Sequence, residues 1–151
     1  RSQQLPHPDL RVVGHLVDRH REYRGDSPTA AWISAGVDAT EIGLLSELYW
    51  GLPMRSYSRT RAWSDAQFDA AHERLKSRGW LDEVGFTPAG RAAREDIEVR
   101  TDQQMLVVEH SLGDDLDELV HILAPWGAAI RDAKGYPASG PHDLADLASR
   151  G

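Results

Sequence analysis

The chain contains no cysteine. That excludes disulfides, thiolate metal sites and a cysteine nucleophile, and it fits a reducing, cytoplasmic setting. Long apolar runs are missing as well. None approaches the roughly 18 residues that a membrane span needs, and nothing at the start reads as a signal peptide. A surplus of positive charge is also lacking. Lys and Arg number 17 against 24 Asp and Glu, for a formal net charge of −7, whereas nucleic-acid-binding domains usually carry a basic footprint. Catalytic signatures are absent too: there is no nucleophile elbow, no phosphate-cradling glycine loop and no paired-carboxylate motif, so no enzyme is expected. The histidines at 7, 15, 20, 72, 110, 121 and 142 form no i,i+4 pair, so neither a metal nor a cofactor is expected. The stretch Arg24-Gly25-Asp26-Ser27 matches an adhesion tripeptide but reads as a helix end followed by an N-cap.

What is present describes a folded domain. Hydrophobic residues make up 40% and charged residues 27% of 151 residues, enough for one core and too apolar for wholesale disorder. Charge is uneven. Residues 1–79 hold 11 basic and 10 acidic side chains, and residues 80–151 hold 6 and 14. Any basic footprint must therefore be local and lie in the first half. The chain starts at Arg1 rather than Met, and the expectation is one compact unit that forms part of a longer protein.

Residues 1–8 read as an extended lead-in. Leu10, Val13 and Val17 share one helical face, widened by Val12 and Leu16, and Gly25 is expected to end that helix. Asp26 or Ser27 then caps a second short helix with Pro28 in its first turn, stopped by Gly36. A third helix begins near Asp38 or Thr40, striped by Ile42, Leu45, Leu48 and Tyr49 and stopped at Gly51-Leu52-Pro53. A short helical segment, 54–61, follows. Ser64 and Gln67 form a capping-box pair opening the next helix, with Phe68, Ala71 and Leu75 inward and Gly79 at its end. Trp80–Thr87 reads as two short strands around a tight turn. Thr87-Pro88-Ala89 caps a long helix to about His110. Leu116, Leu119, Val120, Leu123 and Ile130 stripe a last helix, kinked at Pro125. Leu144 and Leu147 sit in a turn-rich tail. The divisions are N-terminal helices at 1–37, a reading unit at 38–90, a C-terminal helical hairpin at 91–135 and a tail at 136–151.

Helix, short helix, helix, hairpin is the order of a winged helix-turn-helix, in which the last of the three helices enters the major groove. The fold class expected is therefore mainly α: a winged helix-turn-helix with one small β-hairpin, flanked by two N-terminal and two C-terminal helices. Arg74-Leu75, Arg78-Gly79 and Phe86-Thr87-Pro88-Ala89-Gly90 resemble the wing region of MarR-type regulators, over about residues 38–100, with a much shorter wing. Residues 22–26, 35–41, 61–71 and 97–103 are similar to an actinobacterial family of helix-turn-helix proteins about twice as long, of which this chain would be the C-terminal half.

The resemblance implies a DNA-binding transcriptional regulator, responsive to a small-molecule effector and homodimeric. Arg55, Arg59 and Arg61 are expected at phosphates, Ser64 as cap and phosphate contact, and Gln67 and Arg74 as base readers. Tyr23, Trp32 and Trp50 are the candidate effector pocket. One feature opposes this. The outward face of the reading helix carries Asp69 and Glu73 beside Arg74, and carboxylates near phosphate are repelled. The rival expectation is a degenerate winged helix that binds a small molecule or a protein and no DNA.

Overall fold

The computed structural model describes residues 10–135, so the lead-in and the tail with Leu144 and Leu147 lie outside the described residues. Five α-helices follow one another: α1 (Leu10–Ser34), α2 (Ala39–Tyr49), α3 (Asp65–Ser77), α4 (Pro88–Leu112) and α5 (Asp115–Asp132). A single 3-10 turn, Ser58–Arg61, stands between α2 and α3.

The N-terminal region is one helix, not two. Pro28 sits inside α1, and neither Gly25 nor an Asp26 or Ser27 cap interrupts it. The side chains flanking the proline rejoin the helix: Ser27 Oγ donates to the Tyr23 carbonyl and Thr29 Oγ1 to that of Gly25, both at 3.0 Å. Tertiary packing then outweighs the local break. Ser27 and Ala31 are buried, and α1 lies along α4, where Tyr23 Oη donates to the Gln104 carbonyl at 3.0 Å. The first part of the expected stripe does not reach the core. Val12, Leu16 and Val17 are exposed, and the side chains of Leu10 and Val13 lie outside the described residues.

Further along, local signals hold. Asp38 accepts from the Thr40 and Glu41 amides while the Glu41 carboxylate accepts from the Asp38 amide, a reciprocal capping box. Ser64 and Gln67 repeat the device on α3. Thr87 caps α4 with Pro88 in its first turn. The core gathers Leu44 and Leu45 of α2, Phe68, Ala71 and Leu75 of α3, and Ile97 of α4, with Ala31, Val37 and Leu81 closing it. Trp32, Trp63 and Trp80 pack against this core, whereas Trp50 and Trp126 are exposed.

The expected hairpin is not formed as a pair of strands. Gly79 ends α3 at φ +72° and Thr87 already caps α4, leaving seven residues between them. The Asp82 carboxylate accepts from the Val84 and Gly85 amides, so residues 82–85 are spent on the turn. Only Leu81 and Phe86 remain to face each other, as an isolated bridge. The short helix expected over 54–61 is likewise reduced to Ser58–Arg61. Among the described elements helix α5 packs on α4, and sparsely; Leu119, Val120, Leu123 and Ile130 of its stripe are exposed.

Candidate nucleic-acid interface

Helix α3 packs with Phe68, Ala71 and Leu75 inward, which leaves Ala66, Asp69, Ala70, Glu73, Arg74 and Ser77 exposed. The segment leading into it is set by a buried acid. Glu47 is 1% exposed and its carboxylate accepts from the Arg55, Tyr57 and Ser58 amides and the Ser58 hydroxyl. Four donors compensate a charge that would otherwise be costly to bury. They also fix the chain where Arg55 adopts φ +65° and fix the 3-10 turn that bears Arg59 and Arg61.

The predicted contact residues fall into two groups. Arg59 and Arg61 project from the turn, exposed, with no carboxylate in ion-pair reach among the described residues. The others are engaged within the fold. Arg55 donates to Asp69 at 2.5 Å and lies over the Phe68 ring at 5.6 Å. Gln67 Oε1 accepts from the Ser64 amide and hydroxyl. Arg74 donates to Glu41 at 2.9 Å and to Asp38 at 2.5 Å, and the bond to Glu41 foremost raises its pKa further.

The same pairing extends beyond the predicted set. Arg78 reaches the Gly36 carbonyl at 2.6 Å and lies 3.7 Å from Glu41. Lys76 donates to Glu83, which raises the lysine pKa and lowers that of the glutamate. Residues 53–79 alone hold six bases and three acids. Asp38, Glu41 and Glu83 bring three more carboxylates to that surface and cancel the surplus. The face is electroneutral, with its two uncommitted guanidiniums at the entry to α3.

This is a helix-turn-helix geometry, and the whole-chain comparison agrees. A family model described as a helix-turn-helix family matches residues 1–137. The chain belongs to that helix-turn-helix family. No curated protein and no solved structure matches the chain.

Within this helix-turn-helix protein the three aromatics expected to share a pocket do not meet. Tyr23 lines a hollow with Leu16, His20 and Val108. Trp50 lines another with Tyr49, Arg91 and Glu95. Trp32 lines a third with Ile42, Tyr57 and Trp63. Trp63, Glu41 and Glu47 are the residues that reading the sequence did not single out. Glu41 had a signal, the Asp-x-x-Glu spacing of a capping box at 38–41. Glu47 had a weaker one, an acid three residues after Leu44 on the inward side of α2. Among the described residues no group of histidines and carboxylates could hold a metal, and no helix is long and apolar enough to cross a membrane.

Proposed function

We propose that the chain is a cytoplasmic DNA-binding transcriptional regulator of the MarR-like type, acting as an effector-responsive homodimer. The observation that carries the DNA contact is the pair Arg59 and Arg61, exposed and unpaired among the described residues at the start of an exposed α3. Phosphate contacts position such a helix, and base contacts give it sequence preference. In this reading Arg59 and Arg61 hold phosphates, and Arg55 joins them by exchanging Asp69 for a phosphate; a surface ion pair of about 0–1 kcal/mol is readily exchanged. Ser64 and Gln67 approach the DNA as a preformed cap. Arg74 reads bases only by leaving Asp38 and Glu41, so a base-reading role for it carries the cost of uncovering the buried Glu41. The exposed stripe on α5, including Leu119 and Leu123, supports pairing with a second copy.

A second reading rests on the electroneutral face: a helix-turn-helix that binds a small molecule or a protein and leaves DNA alone. Enrichment from a pool of randomised duplexes decides between them. The DNA reading predicts a preferred sequence whose binding is lost when Arg55, Arg59 and Arg61 are together replaced by Ala. No enrichment, at low as well as physiological salt, would leave the second reading standing.

A further inference from the structure

The acid that opposes DNA binding on grounds of charge is also placed to give that binding a sequence preference. Ala66, Ala70, Glu73 and Ser77 recur at helical spacing and form one outward stripe of α3, all exposed. Ala66 and Ala70 offer only methyls. Ser77 Oγ gives its proton to the Glu73 carbonyl at 2.8 Å. Glu73 brings the one charge of the stripe. Its side chain is 69% exposed, and among the described residues the cation within ion-pair reach of it is His72, whose Nδ1 lies at 3.9 Å. The charged neighbours on the same face are committed: Asp69 to Arg55 at 2.5 Å, and Arg74 to Asp38 and Glu41.

In the major groove a side chain meets four kinds of base edge. Guanine shows two acceptors, thymine an acceptor and a methyl, adenine a donor beside an acceptor, and cytosine a donor with no acceptor of its own. An ionised carboxylate can only accept. Over guanine or thymine it is desolvated without a partner, which costs more than an ordinary bond is worth. Over adenine it gains from N6 and is repelled by N7. Over cytosine it gains a bond without that repulsion. We propose that Glu73 reads cytosine: its carboxylate accepts from a cytosine N4 amino group, so that tight binding requires a C·G pair at one fixed position of the DNA site. The small side chains of Ala66 and Ala70 let the helix seat close to the base edges. Phosphate contacts from Arg59 and Arg61 supply attraction, and Glu73 supplies discrimination. This assignment rests on the DNA reading above and adds the base that the helix selects.

The test enriches randomised duplexes on the full chain and on Glu73→Gln side by side. Gln has the length of Glu, and its amide pairs with adenine N6 and N7. Glu73 is exposed, so the variant should keep the helical circular dichroism of the parent. The parent is expected to enrich a site with one required cytosine. The variant is expected to prefer adenine at that position and to keep the parent's choice at the others. On a duplex carrying the parent's site, exchange of that cytosine for adenine should weaken the parent about ten-fold and strengthen the variant. Glu73→Ala should lose the preference at that position and bind random duplex at least as tightly as the parent, because a charge repelled by DNA has gone. The assignment is overturned, with the DNA reading intact, if the parent enriches a site without a required cytosine, or if Glu73→Gln selects the parent's base at every position. If the parent binds no duplex even at low salt, the DNA reading fails and the base assignment fails with it.

Discussion

Gly90 is where one atom decides the most. A Cβ built on it would stand 1.9 Å from the Trp80 carbonyl oxygen, a clash with backbone that no rotamer relieves. Gly90→Ala should therefore cost about 3 kcal/mol, the top of the usual range for overpacking, measured by urea denaturation. A cost below about 1 kcal/mol would mean that α4 does not start against Trp80. Glu47→Ala should cost a similar ~3 kcal/mol, because the Arg55, Tyr57 and Ser58 amides lose a shared acceptor and orphaned buried donors cost about 1–3 kcal/mol each before water repairs some of them. Full stability in that variant would contradict the picture of Glu47 as the anchor of the turn. At this scale the sequence was least legible. Arg74 is a plausible base reader when seen on its own helix, and only the fold shows that Asp38 and Glu41, 36 and 33 positions earlier, lie against it. Net charge over a segment also misleads when the neutralising acids come from outside that segment.

The elements were legible where a local rule governs them. The caps at Ser64 and Thr87, the inward face of α3 and the stop at Gly79 all follow from spacing that a helix imposes. Phe68 is 1% exposed, and Phe68→Ala should cost about 3–5 kcal/mol; a loss under about 1 kcal/mol would turn the helix over and take the proposed contact face with it. Where packing competes with a local signal, the signal lost. Pro28 and Gly25 announced a break that the α1–α4 contact overrides. The turn after α3 is an Asx turn rather than a hairpin, and it makes a prediction in acid. Bonds from the Val84 amide, then the Gly85 amide, hold the Asp82 pKa below its ordinary value. The turn thus gains stability above the unfolded aspartate pKa of about 3.9, and that gain is lost as pH falls through the lower folded value. The Val84 and Gly85 amide resonances should move together in that window and stay still in Asp82→Asn, which keeps the acceptor and removes the titration. Movement unchanged in the variant would assign it to another group.

Among the described residues the core around α2 and α3 is well packed, whereas α4 and α5 carry exposed apolar side chains. Leu106 and Val107 of α4 and Leu119, Val120, Leu123 and Trp126 of α5 are exposed, more than a lone α5 would be expected to show to water. Sedimentation at micromolar concentration should give a dimer, and Leu119→Glu with Leu123→Glu should return a folded monomer; a monomeric parent chain would remove the geometry for reading a palindrome. The central claim, that two arginines unpaired among the described residues, at the head of an otherwise neutral helix, bring this chain to DNA, meets its most direct test in the salt dependence of affinity for duplex DNA. Each phosphate neutralised contributes a slope of about −0.9 in log affinity against log salt. The parent chain should bind duplex with a clearly negative slope, and Arg59→Gln with Arg61→Gln should flatten that slope by about 2. An unchanged slope in the double variant, or no binding by the parent chain at low salt, would contradict it.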